Sequence, residues 1–170
     1  MVWAEWIEGA IAQNDAAWSN LPNDAPVIED RMSQLKEFKP GDRIYVRAQQ
    51  VWLVLVGFVM FSQKTNSPIK TMTYENFALA MGYGDPRMGY RLGRELGIVG
   101  ACCTDNGLPA LNAIVVAKDT GLPGHQVLLP DGWTVRMAQE DVMKENWLRW
   151  RVPTIGTLRQ VWNGTTRKLP

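Results

Sequence analysis

The first part of the chain alternates between apolar segments at helical spacing and short stretches of helix breakers. From Val2 to Trp18, apolar residues recur every three to four positions, which predicts an amphipathic helix. Leu21–Pro26 predicts a linker, and a short helix is predicted from Ile28 to Phe38. Lys39–Asp42 predicts a turn. Gln49–Phe61 predicts a buried helix, and since its apolar run, Val51–Phe61, is shorter than the ~20 residues that span a bilayer, we expect no membrane insertion.

Two helix starts and a glycine-containing turn lie close together between Thr71 and Gly124, and they predict a helix-turn-helix. Thr73 is expected to cap a helix over residues 74–81, because a threonine hydroxyl can accept from the free N–H groups of a first helical turn. Gly82–Gly84 permits the left-handed conformation that ends a helix. Asp85 and the proline after it then start a second helix, as N-cap and first helical residue. Two helices joined in this way form the helix-turn-helix pattern.

The second predicted helix sorts its side chains into three rows when residues are placed about 100° apart. The apolar row consists of Met88, Leu92, Leu96 and Val99. A second row carries Arg87, Arg91 and Arg94, with Tyr90 beside them. The third row consists of Gly89, Gly93 and Gly97. Glycines weaken a helix, so something should approach that row closely, either another part of the protein or a phosphate backbone. Arginine suits phosphates and guanine edges, but an arginine row is also common on solvated surfaces.

A β-hairpin is predicted after this helix. Leu111–Ala117 is rich in β-branched residues, Lys118–Gly121 is a turn signal, and Gln126–Leu129 supplies a returning strand. A hairpin that follows a helix-turn-helix is called a wing. Lys118 would lie at its tip, where it could reach a phosphate.

The whole pattern predicts an α+β, mainly α fold: a winged helix-turn-helix core with an N-terminal helical extension and C-terminal helices. In the C-terminal part, Arg136–Trp150 predicts one helix, and Pro153 with Thr154 opens another that turns Leu158 and Trp162 inward. The corresponding domains are an extension over residues 1–48, the winged helix-turn-helix over 49–130, and a helical segment over 131–170 packed on that core.

Composition limits the partners and the compartment. The 170 residues, 46% of them hydrophobic, are enough for one globular domain with a core. The formal net charge is only +1, so nucleic-acid binding would depend on local positive charge. Cys102 and Cys103 provide neither a disulfide framework nor metal-ligand spacing, and the N-terminus lacks the pattern of a signal peptide. A reducing, cytoplasmic location is the simplest interpretation.

Three short motifs, in order, resemble the DNA-repair alkyltransferases and the non-catalytic alkyltransferase-like proteins. Residues 73–82 resemble the Ser/Thr-Tyr-Gly-Glu-Leu/Ile-Ala-x-x-Ile-Gly segment of that family, residues 89–97 resemble its recognition helix, and residues 49–55 resemble the helix before this unit. The resemblance implies a winged-helix DNA-binding fold. In that family, the tyrosine matching Tyr74 contacts the DNA backbone, and an arginine of the recognition helix takes the place of a flipped base.

This chain departs from the family at two positions. Tyr90 stands at the flipping arginine's position, and Arg91 follows it; an aromatic side chain can also wedge between base pairs. The family's nucleophile lies in a Pro-Cys-His-Arg motif ahead of two valines, and Asn112 takes the place of that cysteine here. His125, the single histidine, lies beyond the predicted wing. The resemblance therefore implies that alkyl transfer is absent.

Three functions are compatible with the sequence. The first, which we expect, is a non-enzymatic protein that binds duplex DNA through Tyr74, Arg87, Tyr90, Arg91, Arg94 and Lys118, without catalytic residues, metal or small-molecule cofactor. The second is a protein-interaction module, an inhibitor or adaptor, which uses the winged helix and a surface rich in tryptophan. The third is a nucleic-acid enzyme that uses Cys102 or Cys103, although free cysteines are more often buried and inert.

Overall fold

The computed structural model describes residues 36–39, 42–65 and 70–166. The chain divides into two compact units, Met1–Lys36 and Glu37–Pro170, and the elements below belong to the second. They are α1 (Ile44–Lys64), β1 (Met72–Thr73), α2 (Tyr74–Ala80), α3 (Met88–Arg91), α4 (Gly93–Asp105), a 3₁₀ turn (Leu111–Ile114), β2 (Val115–Val116), α5 (Val135–Lys144), a second 3₁₀ turn (Trp147–Arg149) and α6 (Ile155–Thr166). The fold is α+β and mainly helical, with a two-stranded parallel sheet.

Several predictions for the first part of the chain fall outside this range. The predicted helix Val2–Trp18 and the linker Leu21–Pro26 lie outside the described residues. Of the predicted helix Ile28–Phe38, only residues 36–38 are described, and they are not helical. The predicted turn at Lys39–Asp42 is confirmed, because the Asp42 N–H donates to the Lys39 carbonyl at 2.9 Å.

The buried helix α1 is longer than predicted. It starts at Ile44 rather than Gln49, because residues 44–48 contain no helix breaker and their apolar side chains extend the same face. Its buried row includes Ala48, Val51, Leu55 and Val59, and it packs mainly against α4. By length and composition alone α1 could cross a membrane, a test that the core helix of a soluble protein also passes.

An ion pair also joins α1 to α4. The Nε of Arg47 donates to Oε1 of Glu95 at 2.7 Å, and the Glu95 side chain is 2% exposed. Glu95 thus points into the core, rather than standing on the solvated side of the helix. A carboxylate buried in this way depends on its partner, because an unpaired charge in the interior is costly.

The capping signals of α2, the first helix of the predicted helix-turn-helix, are confirmed. The Thr73 hydroxyl accepts from the N–H of Asn76 at 3.2 Å, which caps α2. At the other end, Gly82 has a φ of 85°, and the Tyr83 N–H donates to the Ala78 carbonyl at 3.0 Å. This is a Schellman arrangement, in which glycine accepts the left-handed conformation without steric cost.

The second predicted helix is wrong as a single element. The chain forms α3 and α4 with a break at Leu92, whose ψ is 10°. The Asp85 carboxylate does accept from the backbone N–H of Arg87, as a capping residue would, yet the regular helix begins only at Met88. Gly89 and Gly93 flank the break, and each has low helix propensity, so tertiary packing on both sides decides the local geometry.

The predicted hairpin between Leu111–Ala117 and Gln126–Leu129 is also wrong. Leu111–Ile114 forms a 3₁₀ turn, and Val115–Val116 pairs in parallel with Met72–Thr73 instead of with a returning strand. Residues 126–129 are irregular. A tight loop replaces the hairpin, with the Ala117 N–H donating to the Leu122 carbonyl at 2.8 Å and a single antiparallel bridge between Val116 and Pro123. Proline has no N–H, so it cannot continue a ladder.

The C-terminal helices complete the core. Thr134 caps α5, which ends at Lys144 rather than reaching Trp150 as predicted, because Glu145 adopts an extended conformation. The predicted start of α6 is confirmed, since the Thr154 hydroxyl accepts from the N–H of Thr157 at 3.1 Å. Leu158 is fully buried as predicted, and Trp162 is partly buried against the core.

Candidate ligand groove at the Tyr74–Tyr90 stack

A groove of about 280 Å³ lies between residues of α2, α3 and α4 on one side and the loop after β2 on the other. Tyr74, Tyr90 and Gly93 form its helical side, and loop residues between Ala117 and Gln126 form the other. We call it the tyrosine groove. Two of the predicted site residues, Tyr74 and Tyr90, thus come together in one concave surface.

Tyr74 is held from two sides. Its ring stacks on that of Tyr90, with centroids 4.8 Å apart and planes 26° from parallel. Its hydroxyl oxygen accepts a hydrogen bond from the N–H of Gly124 at 3.0 Å. Burial raises the pKa of Tyr74, although the bond from Gly124 acts in the opposite direction. The phenol therefore stays protonated near neutral pH, and a neutral O–H can donate to a ligand oxygen.

Tyr90, the other ring of the stack, is 56% exposed to solvent. Its outer ring face is thus available to an aromatic ligand, and aromatic rings favour offset stacking. Arg91 and Arg94 follow it in the sequence, both are exposed, and neither forms a salt bridge to a described residue. These two exposed guanidinium groups are therefore the sequence neighbours of Tyr90 and Gly93, which line the groove, and Arg91 also acts electrostatically on Asp85.

The other two predicted cations are already paired. The Nε of Arg87 lies 3.0 Å from Oδ1 of Asp85, and this guanidinium holds the pKa of the Asp85 carboxyl below its usual value. Lys118 lies on the tight loop with its Nζ 3.5 Å from Oε2 of Glu75. Both cations remain largely exposed. Exposed pairs are weak, so a phosphate could compete for either cation, but Arg91 and Arg94 are the more readily available.

The glycine row is explained by the protein itself. A side chain at Gly89 would overlap the backbone carbonyl of Tyr74. Gly93 lies against the Gln126 side chain, and Gly97 lies against Gln126 and the ring of Trp162. Close approach by another part of the protein was one of the two alternatives for this row, and it holds at all three positions. Of these glycines, Gly93 alone also lines the groove.

Asn112 lies behind the groove, where the resemblance places a catalytic cysteine. It is 2% exposed and packs against Gly100, where any side chain would overlap its amide. Its Nδ2 donates weakly to the Gln126 carbonyl, at 3.4 Å, and its Oδ1 has no hydrogen-bond partner among the described residues. An amide at this position cannot act as the nucleophile that a thiolate would be.

Cys102 and Cys103 are buried, as the sequence predicted, with exposed fractions of 3% and 0%. Burial raises the pKa of both thiols, that of Cys103 to about 12. Only the thiolate attacks, so neither residue is an effective nucleophile near neutral pH. This arrangement argues against the third function, an enzyme that uses these cysteines.

We therefore expect the folded protein to react with Ellman's reagent far more slowly than free cysteine at about pH 8, where the raised pKa keeps both thiols protonated. In guanidinium chloride both thiols should react quickly. Absorbance at the thionitrobenzoate band gives both rates. A thiol that reacts at the free-cysteine rate in the folded protein would contradict the burial of this pair.

Several groove residues were not predicted as such. His125 was placed beyond the wing, and Gln126 was assigned to a strand, yet both line the groove with Pro123 and Gly124. Gly124 allows the approach of the Tyr74 hydroxyl, because a Cβ there would lie 2.7 Å from that oxygen. The signal that could have identified them is the Gly-Leu-Pro-Gly sequence before His125, because glycine and proline favour an irregular loop over a strand.

No family model, curated protein or solved structure matches this chain.

Proposed function

We propose that the protein is a non-enzymatic DNA-binding protein that places its helix-turn-helix and the loop 117–122 on duplex DNA. The observation that carries this proposal is the exposed Tyr90 ring at the tyrosine groove, followed in the sequence by the exposed Arg91 and Arg94, neither of which forms a salt bridge to a described residue. The proposed fold is an alkyltransferase-like winged helix in which the tight loop occupies the place of the wing.

Local charge supports the proposal despite the low net charge. Phosphate contacts provide most of the affinity of a protein for DNA, and guanidinium groups are well suited to them. Arg91 and Arg94 need not break a salt bridge to a described residue in order to bind. Arg87 precedes α3 and Lys118 lies on the loop after β2, and both can add contacts at a small cost, because their present ion pairs are exposed.

The two tyrosines provide a further contact. Tyr90 stands where the alkyltransferases, which the short motifs resemble, have the arginine that replaces a flipped base, and an aromatic ring can fill such a gap by stacking. The groove behind it is lined by Tyr74, which keeps a donor O–H, and by the polar side chain of Gln126. Cys102 and Cys103 are buried and do not line the groove, so we propose recognition without transfer of a group to a cysteine.

A fluorescence-anisotropy titration with labelled double-stranded and single-stranded DNA, at two salt concentrations, tests this function. We expect Arg91→Ala and Arg94→Ala each to weaken duplex binding and to lower the slope of log affinity against log salt by about 1. Arg136→Ala is the control, because Arg136 lies on α5 in an exposed pair with Glu140. Absence of duplex binding at low salt, or equal effects of all three variants, would refute the proposal.

A further inference from the structure

A second and larger pocket, of about 470 Å³, lies where the end of α4 meets α5. Its walls are mostly apolar and include Leu108, Leu128, Leu129, Trp133 and Ala138, with the Asp141 carboxylate as the charged group of the lining. We call it the Asp141 pocket. Its volume is in the range of about 300–1,000 Å³ that is typical of ligand sites, and an apolar lining with few polar groups is also typical of them.

The Asp141 pocket is separate from the proposed DNA surface. Gly93, at the start of α4, lines the tyrosine groove, whereas Thr104, near the end of the same helix, lines this pocket. Eleven residues of helical rise place these two positions roughly 16 Å apart along α4. On the loop after β2 the two linings come closer, because Gln126 lines the groove and Leu128 lines the pocket, but they share no residue.

Two large side chains at the pocket are exposed although they are apolar. Leu128 is 49% exposed and Trp133 is 37% exposed. Leucine and tryptophan gain free energy when such surface is removed from water, and tryptophan is frequent at the centre of protein interfaces. The pocket is open to solvent along these residues, so a side chain attached to a longer chain can enter it.

The charge around the pocket selects against anions. The Asp141 carboxylate forms an ion pair with Lys144, whose Nζ lies 3.5 Å from its Oδ1, and both side chains of this pair are exposed. Asp105 and Asp131 directly follow the lining residues Thr104 and Pro130, and both are exposed. None of the described residues that line the pocket is a lysine or arginine. A nucleic acid or an acidic peptide would meet repulsion here, whereas a cation beside an apolar group would meet attraction.

We propose that the Asp141 pocket docks a segment of a partner protein that inserts a large apolar side chain next to a lysine or arginine. The apolar side chain fills the space beside Trp133 and Leu128, and the neighbouring cation lies by Asp141. The pocket and the tyrosine groove share no lining residue, so the two sites are distinct. The proposal does not depend on the function proposed for the groove.

The test uses the ¹⁵N-labelled full chain and two capped tripeptides, arginyl-phenylalanyl-arginine and glutamyl-phenylalanyl-glutamate. We expect the cationic peptide to shift the indole N–H resonance of Trp133 in a saturable way, and the acidic peptide to leave it in place. Asp141→Asn should weaken binding of the cationic peptide about five-fold, the effect of one partly exposed charge pair. Leu128→Asn should weaken it about ten-fold, since a polar amide would then be desolvated on binding in place of an apolar side chain.

Leu148→Asn is the matched control, because Leu148 is 71% exposed and does not line the pocket. It should leave peptide binding unchanged. The proposal is overturned if the cationic peptide gives no shift at Trp133, if both peptides bind equally, or if the pocket variants bind like the control. It is also overturned if phenethylamine alone binds as tightly as the peptide. A second copy of the chain in the pocket would instead make the Trp133 indole resonance shift on dilution without peptide, and that result would also overturn the proposal.

Discussion

We expect Arg47→Met to lower the free energy of unfolding by about 3–5 kcal/mol, the usual cost of leaving a buried charge without its partner. The methionine keeps most of the aliphatic volume of Arg47 but removes the guanidinium that binds Glu95. The Glu95 side chain is 2% exposed, so water cannot replace the lost hydrogen bond. Urea denaturation followed by tryptophan fluorescence measures the change in stability.

Arg136→Met is the matched control for this effect. Its pair with Glu140 has a similar N–O distance of 2.9 Å, but both side chains are well exposed, so a loss below about 0.5 kcal/mol is expected. The double variant Arg47→Met/Glu95→Met should recover most of the lost stability, because an apolar pair can replace a buried ion pair. Equal losses in Arg47→Met and Arg136→Met would show that Glu95 does not depend on Arg47.

We expect Gly89→Ala to destabilise the protein by at least about 2 kcal/mol, as over-packing against a fixed backbone does. The new methyl group would overlap the Tyr74 carbonyl, and Tyr74 begins α2 directly after β1, so it cannot move away cheaply. The same substitution should disturb the stack of Tyr74 on Tyr90. Near-ultraviolet circular dichroism reports the stack, and thermal unfolding reports the stability.

Gly57→Ala provides the opposite expectation with the same chemical change. A Cβ at Gly57 meets no atom within 4 Å, and the residue lies in the middle of α1. Alanine should therefore stabilise the helix by about 0.5–1 kcal/mol through its higher helix propensity. If Gly89→Ala proved as harmless as Gly57→Ala, the close contact between α3 and the start of α2 would not exist.

Local signals in the sequence predicted the ends of several elements. The Thr73 hydroxyl, the left-handed Gly82 and the Thr154 cap act as their positions indicated, because each depends on atoms within a few residues along the chain. The burial of the two cysteines also followed from their general behaviour. These features are short-range or depend on residue type alone, so one sequence contains enough information for them.

The contacts within the tyrosine groove could not be predicted from the sequence. Tyr74 and Tyr90 were both expected at the DNA surface, but neither their stack nor the bond from Gly124 could be derived from spacing. His125 and Gln126 reached the groove only because the loop after β2 folds back, and Gln126 had been assigned to a strand. Such contacts join residues far apart in sequence, and no local propensity specifies them.

The sequence by itself determined the mainly helical α+β class, the helix caps and the positions of the arginines beside Tyr90, because these follow from periodicity and residue chemistry. Tertiary structure alone decided that the second helix breaks at Leu92, that β2 pairs with β1 instead of forming a hairpin, and that Glu95 is buried against Arg47. The physical reason is the same in each case. A weak local preference was overridden by a contact with a distant segment, and the free energy of that contact exists only once the chain has folded.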